Sequence, residues 1–305
     1  MRYNFKNLMF ITIAFFTLSN CKTAKGIEVK DENIEDALLW KITGKGVTKP
    51  SYIYGTIHMI PSNEYFLPQG TLTAIDQCEK MIFEIDMADM SDMSSLMGIM
   101  DKIFMNNDVT LKTLLTSEEY KLVEDKFSSL GLPMFMLDKI KPMFLSAMTY
   151  GDMSPTSIQD GSIKSYEMEF YDMAKQRKMD TGGLETIEFQ LSVFDSIPYP
   201  VQAKMLVESL KSTDSEDDEF QKMIALYKGQ RINEMIEMIG SDESGLSGYE
   251  DILVKKRNEM WIDQIISNAR EKQVFFAVGA GHLAGKNGVI RLLREKGMKL
   301  TPIKA

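Results

Sequence analysis

Cysteine is nearly absent from this sequence, which holds two in 305 residues, Cys21 and Cys78. Cys21 ends an apolar N-terminal run, and a lipidated Cys21 would leave Cys78 without an intramolecular disulfide partner. The body of the chain must therefore take its stability from a hydrophobic core. Nothing in the sequence gives Cys78 the activating neighbour that a nucleophilic thiol needs, so we expect it to be buried and inert.

Histidine is equally scarce, since the chain has two, His58 in "GTIH" and His282 in "GAGH". The sequence has no His-Glu-x-x-His helix, which excludes the helical zinc site of many metalloproteases. Each histidine instead closes a Gly-x-x-His motif after an apolar run typical of a β-strand. A site that depends on histidine has to be built from these two residues.

An excess of basic charge is also missing. The 35 Lys and Arg residues against 44 Asp and Glu give a net charge of −9, and this opposes nucleic-acid binding, which needs a basic surface. The hydrophobic fraction of 44% supplies ample material for a core. The length fits one large α/β domain or a core that carries an insertion.

The first 21 residues have the layout of a secretory signal. Arg2 and Lys6 precede the run "LMFITIAFFTL", which is shorter than the about 20 apolar residues of a transmembrane helix. "LSNC" resembles a bacterial lipobox and predicts lipidation of Cys21, although Asn20 is an unusual residue before the cysteine. An uncleaved anchor helix is the alternative. Either way we expect an exported chain that is held to the cell envelope through its N-terminus, facing the periplasm or the cell surface.

Residues 22–37 are polar and charged, as expected of a tether, and we place one domain at residues 38–305. "LLWKI" and "SYIYGTI" predict a β-hairpin, and "MIFEID" and "QVFFAVG" predict further strands. Residues 91–270 are mainly helical, with "MDTGGLE" as an extended exception. We therefore predict an α/β fold, in which one mixed β-sheet is formed by the N- and C-terminal parts, about 38–90 and 271–305, with a large helical insertion between them.

Both histidines follow strand ends, where ligands bind in open α/β sheets. Gly55 and Gly279, three residues before each imidazole, suit close backbone approach. Glu84 is the best candidate carboxylate, since we expect its strand to adjoin the His58 strand. Strand alternation places Asp86 on the same face as Glu84, as a second metal ligand or an orienter of a histidine. A purely structural role for each histidine is the alternative.

The set of motifs resembles the TraB/GumN family, which includes Tiki-type metalloproteases and is related to erythromycin esterases and ChaN-type haem-binding lipoproteins. The matching stretches run from about residue 38 to 303: "LWKITGKGVTKPSYIYGTIH", "MIFEID", "GLETIEFQ", "LVKKRNEMW" and "FFAVGAGHLAGKNGVIRLLREKG". Outside these stretches the helical middle matches only in general character.

The resemblance implies that His58, His282 and Glu84 hold a divalent metal, Mn, Co or Zn, which activates water. It implies that Arg257 faces the same pocket and binds a substrate carboxylate or a developing oxyanion. Glu185 would act as a general base or as an orienting group. The remaining residue of the implied site is Asn258, which would orient polar neighbours.

Three functions follow from these observations. The leading one is an envelope lipoprotein that hydrolyses peptide or ester bonds with a metal-activated water. The second is a non-catalytic lipoprotein that binds haem or metal through the histidines. The third is a metal-free enzyme in which His58 or His282 acts as the base. The group of Glu84, Glu185 and Arg257 favours an enzyme, because a haem pocket does not require so many charges.

Overall fold

The computed structural model describes residues 34–89, 101–148, 160–211, 213–239, 248–249 and 251–304. The predicted signal peptide and Cys21 lie outside these residues, so their processing stays a prediction. The strands within the described residues are Leu39–Gly44 (β1), Ser51–Thr56 (β2), Ile60–Pro61 (β3), Lys80–Phe83 (β4), Ile163–Lys164 (β5), Asp180–Gly183 (β6), Val274–Gly279 (β7) and Met298–Pro302 (β8).

The main sheet has the strand order β6-β4-β7-β2-β1-β8. Strands β6, β4, β7 and β2 run parallel, whereas β1 is antiparallel to both β2 and β8. The predicted hairpin is therefore present as β1 and β2, and the predicted mixed sheet from the two chain ends is confirmed. One expectation is wrong, because β7 and not β2 lies beside the strand that precedes Glu84.

The sequence between the N- and C-terminal parts of the sheet is mainly helical, as the fold class predicted, and it also contributes β5 and β6. Those within the described residues are Thr71–Asp76 (α1), Leu111–Leu114 (α2), Ser117–Ser129 (α3), Met134–Leu137 (α4), Pro142–Ala147 (α5), Tyr166–Gln176 (α6), Ile187–Phe194 (α7), Tyr199–Lys211 (α8), Thr213–Lys228 (α9), Ile232–Ile239 (α10), Lys256–Glu271 (α11) and Val289–Glu295 (α12). A π-helix at Asp251–Lys255 leads into α11, and a 3₁₀ turn at Ala280–His282 follows β7. No helix in this part of the chain is long and apolar enough to span a membrane.

The central strands are buried on both faces, and β7 is accordingly a nearly continuous apolar run. All six residues of β2 are buried, and so are five of the six residues of β7. Aromatic side chains fill the space between the sheet and helix α6, where Tyr54 packs edge-on against Phe170 and Phe170 packs against Phe275. This packing fixes the position of β2 and therefore of the residues that follow it.

A second cluster of buried apolar residues lies within the helical region, where Leu111, Phe127, Leu145 and Leu206 are fully buried. It joins α2, α3, α5 and α8, away from the strands. Cys78, by contrast, belongs to the core of the sheet, and burial raises the pKa of its thiol to about 12. The prediction of a buried, unreactive Cys78 agrees with this position.

Candidate functional site

Four neighbouring parallel strands are each followed closely by a residue with acid–base chemistry. Glu185 follows β6, Glu84 follows β4, His282 follows β7 and His58 follows β2. The carboxyl ends of parallel strands meet at one edge of a sheet, which is where ligands bind in this class of fold. Four residues that lie far apart in the chain are thereby brought to one edge of the sheet.

Arg257, on the first turn of α11, lies between the two carboxylates and His282. Its Nη2 donates to Glu84 Oε2 at 2.6 Å and to Glu185 Oε1 at 2.7 Å, and its Nε donates to Glu185 at 3.0 Å. Its Nη1 donates to Leu253 O at 3.2 Å and faces His282 Nε2 at 3.1 Å. All five N–H donors of the guanidinium therefore have partners within the protein.

Glu84 accepts hydrogen bonds from several directions. The backbone N–H of Gly279 donates to its Oε1 at 2.8 Å, and the Gln190 amide donates to its Oε2 at 2.9 Å. A Cβ added at Gly279 would lie 3.2 Å from Glu84 Oε1, so the absence of a side chain there lets the carboxylate approach the backbone. The carboxylate is held in one orientation, with 11% of the side chain exposed.

The two buried acids differ in proton affinity. Burial by itself disfavours the charged form of Glu84, but electrostatic interaction with His282, Arg257 and His58 outweighs it and holds the pKa of Glu84 at about 2. Burial raises the pKa of Glu185 above its usual value, although Arg257 opposes that shift. Two carboxylates against one guanidinium leave the Glu84, Glu185 and Arg257 group with one net negative charge when both acids are ionised.

His282 is held as a neutral imidazole. The Asn258 amide nitrogen donates to two carbonyls, His282 O at 3.2 Å and Asn287 O at 2.8 Å, so its oxygen is the atom that lies 2.6 Å from His282 Nδ1. His282 Nδ1 therefore carries the proton, and the lone pair of Nε2 accepts from Arg257. Burial lowers the pKa of His282 to about 4, which keeps the ring uncharged at neutral pH.

His58 has the opposite environment. Its side chain is 78% exposed, and its Nδ1 lies 3.3 Å from Glu167 Oε1. The hydrogen bond to Glu167 raises the pKa of His58 to about 9, and Glu84 adds to the shift through its charge. The structure thus joins five residues into one hydrogen-bonded network: Glu84, Glu185, Arg257, Asn258 and His282. His58 interacts with this network through its charge.

Asp86 takes no part in the contacts of that network. Strand β4 ends at Phe83, so the alternation expected to align Asp86 with Glu84 does not extend that far. The Asp86 carboxylate accepts from Thr181 Oγ1 at 3.2 Å and from the N–H of Ala88 at 3.0 Å. It therefore supports the edge of the sheet beside β6.

Gly55 lies beneath the turn that carries His282. A Cβ at Gly55 would meet Leu283 Cδ1 at 2.7 Å and Ala280 Cα at 3.0 Å. With any other residue here the Leu283 side chain would have to move and the 3₁₀ turn would have to give slightly, so glycine lets β2 and this turn pack closely. Gly55 and Gly279 thus both permit close packing around the site.

The donor types at this edge, two imidazoles and a carboxylate, are those that divalent transition metals accept. Their arrangement does not match a metal site: across the described ranges, no group of three or more His, Cys, Asp or Glu residues could hold a metal ion. Arg257 occupies the lone pair of His282 Nε2 and binds Glu84. As arranged, Arg257 takes the positions at His282 Nε2 and Glu84 that a bound metal would need.

Three residues that contact the site were not predicted from the sequence. Gln190 donates to Glu84, and the Trp261 indole donates to Glu185 Oε2 at 3.0 Å while its ring packs 4.5 Å from that of His282. Both lie in stretches that match the family, "GLETIEFQ" and "LVKKRNEMW", which was the available signal. The third, Glu167, has no comparable signal, because its role depends on a contact 109 positions away from His58.

Comparison with known proteins places the site in context. A family model described as the TraB/PrgY/gumN family matches residues 38–302. The chain is similar to metalloprotease TIKI1 of Danio rerio, at 21% identity over 87% of this chain and 63% of that protein. It is also similar to TIKI1 of Xenopus tropicalis, at 23% identity over 92% of this chain and 63% of that protein. The chain thus spans less than two thirds of the length of these relatives. No solved structure matches it.

Proposed function

The chain belongs to the TraB/PrgY/gumN family, and from that premise we propose that it is a hydrolase whose site is the network around Glu84 and Arg257. The observation that carries the proposal is the convergence of Glu185, Glu84, His282 and His58 at the ends of adjacent parallel strands. Relatives named metalloproteases favour a peptide as the substrate, with a small ester as the second class.

The residues have distinct parts in this proposal. Glu84, ionised across the physiological pH range, orients a water or a cationic group at the sheet edge. His282 is neutral, and its Nε2 lone pair can accept a proton once Arg257 releases it. Arg257 can give up a hydrogen bond to one of its internal partners and donate instead to an anionic substrate group. Glu185, with 1% of its side chain exposed, acts by holding Arg257.

We further propose that activity depends on a divalent metal, Mn, Co or Zn, held by His58, His282 and Glu84. When bound, such a metal supplies Lewis acidity that makes water a better nucleophile near neutral pH. This assignment requires Arg257 to release His282 Nε2, because a guanidinium and a metal cannot share one lone pair. Loss of cleavage in a chelator, with recovery on adding one of these metals, tests it.

The site gives less support to a haem-binding role. Haem requires a large apolar surface around its axial ligand, whereas His282 is surrounded by Arg257, Asn258 and Glu84.

For localisation, we propose an exported lipoprotein anchored through Cys21, supported by the N-terminal sequence pattern. Metabolic labelling with palmitate, lost in Cys21→Ser, tests that proposal.

The hydrolase proposal is tested with the purified full chain and a library of quenched fluorescent peptides, beside a panel of chromogenic esters. We expect Glu84→Gln to lower kcat/KM by about 100-fold or more, the usual contribution of a proton-transfer or orienting group. The matched control is Glu79→Gln, an exposed acid just before the same strand, which should stay within about twofold of wild type. Equal activity in the two variants would contradict the proposal.

A further inference from the structure

Glu167 is a carboxylate that nothing in the sequence patterns singles out. Its Oε1 accepts from the Thr56 hydroxyl at 2.7 Å and lies 3.3 Å from His58 Nδ1, while its Oε2 accepts from the Ser165 hydroxyl at 3.0 Å. The Glu167 side chain is 17% exposed, against 78% for His58. The mostly buried carboxylate of Glu167 therefore contacts the exposed imidazole of His58.

The position of Glu167 is fixed independently of His58. It is the second residue of α6, whose N-cap is Ser165, and an anion is favoured at a helix N-terminus. The preceding residue, Tyr166, is fully buried and packs against Phe170 in the core. Thr56, at the end of β2, is also buried. The carboxylate thus joins α6 to the last residue of the strand that leads to His58.

This contact determines which nitrogen of His58 faces away from Glu167. A carboxylate of this kind only accepts, so Nδ1 of His58 must carry the proton that faces Glu167. His58 lies two residues beyond the end of β2, where the strand no longer orients the side chain. Without Glu167, the exposed ring would be free to occupy several rotamers.

We propose that Glu167 is a positioning residue of the hydrolytic site, which holds His58 by Nδ1 so that Nε2 is the nitrogen presented to substrate. The inference rests on the proposed function, because a use for Nε2 presupposes it. A carboxylate that orients a histidine in this way is a general feature of sites in which imidazole acts through its other nitrogen.

An ordinary surface ion pair contributes little to stability, because both charges stay in water and two long side chains must be held in place. Glu167 differs because two hydroxyls, Thr56 and Ser165, converge on its carboxylate from separate elements. A useful comparison lies on the same turn of the helix: Glu169 pairs with Lys164 at 3.1 Å, with both side chains about one-third exposed.

The first test reads the tautomer of His58 directly. The full chain is labelled with ¹⁵N at its two imidazoles, and the His58 signals are identified by their loss in His58→Ala. Above the pH at which the ring loses its proton, we expect the Nδ1–H tautomer in wild type. Glu167→Gln should populate the Nε2–H tautomer, because an amide can donate to Nδ1 as well as accept. Glu169→Gln should leave the tautomer unchanged, and His282 provides an internal reference.

The second test reads catalysis with a peptide from the fluorescent library. We expect Glu167→Gln to lower kcat/KM about 10- to 100-fold, as loss of a ligand-orienting group usually does, with Glu169→Gln at the wild-type value. A wild-type Nε2–H tautomer, an unchanged tautomer in Glu167→Gln, or undiminished cleavage by that variant would each overturn the inference. If wild type cleaves no substrate, the proposed function fails, whereas the tautomer result still decides the pairing of Glu167 with His58.

Discussion

The two histidines share a sequence motif but not a chemical state. His282 is buried against Arg257 and Asn258, and its pKa falls to about 4. His58 is exposed beside Glu167, and its pKa rises to about 9. At neutral pH the site therefore holds one neutral imidazole, His282, and one positively charged imidazole, His58. The motif could not predict this difference, since both environments depend on residues far away in the chain.

The depressed pKa of His282 has a consequence for stability. Its folded-state pKa of about 4 lies below the ordinary 6.5, so the unfolded chain binds the extra proton first as the pH falls. The contribution of neutral His282 to the free energy of unfolding is fully present above pH 6.5 and is lost as the pH falls towards 4. The shift corresponds to about 3 kcal/mol in the free energy of unfolding.

Urea unfolding of metal-free protein between pH 4 and 6 measures this effect. We expect the stability difference between wild type and His282→Gln to rise with pH across that window. The same difference for His58→Gln should stay flat there, because the raised pKa of His58 gives stability that is present below pH 6.5 and is lost only as the pH rises through 9. A pH-independent difference for His282→Gln would show that the ring is not buried in its neutral form.

At the scale of elements, the site depends on how closely β4 and β6 approach. The N–H of Leu184 donates to Phe83 O at 2.9 Å, and the N–H of Glu185 donates to Glu84 O at 2.8 Å. These bonds extend the parallel pairing past the strand ends and bring the backbones of the two acids together. Arg257 can then bond to both carboxylates at once.

Gly183 permits that approach, and its replacement tests it. A Cβ at Gly183 would lie 2.6 Å from Asp86 N and 2.9 Å from Glu185 O, both backbone atoms. We expect Gly183→Ala to destabilise the protein by about 1–3 kcal/mol in urea unfolding and to lower activity, because the neighbouring turn must shift. At Gly182 an added Cβ would lie 3.5 Å from its nearest neighbour, Lys80 Cε, so Gly182→Ala should change stability by about 0.5 kcal/mol or less. Equal effects at the two glycines would contradict the importance of this close approach.

The elements themselves were largely predictable, but their order in the sheet was not. Apolar and β-branched runs correctly predicted β1, β2, β4 and β7, and paired glycines marked β6 as an extended exception in the helical region. No sequence pattern indicates that β7 separates β4 from β2, because strand order depends on contacts between distant segments. The sequence also predicted that Asp86 shares a face with Glu84. That prediction depends on side-chain alternation, which holds only while the strand continues, and β4 ends at Phe83.

At the scale of the whole molecule, the site gathers residues from both chain ends and from the helices between them. His58, Glu84 and His282 could be selected because each follows an apolar strand. The contacts of Gln190, Trp261 and Glu167 could not be read from the sequence, since helical residues reach the site only through tertiary packing. The position of Arg257 between His282 and two carboxylates is likewise a property of the assembled fold.

The central claim is that the two histidines, from opposite ends of the chain, act in one hydrolytic site. The most direct test is a double-mutant cycle of kcat/KM for peptide cleavage, with wild type, His58→Ala, His282→Ala and the double variant, each checked for folding. We predict that each single change lowers kcat/KM by about 100-fold or more and that the double variant is no worse than the weaker single variant, as found for groups that act as a unit. Single variants close to wild type, or losses that multiply in the double variant, would contradict a shared site.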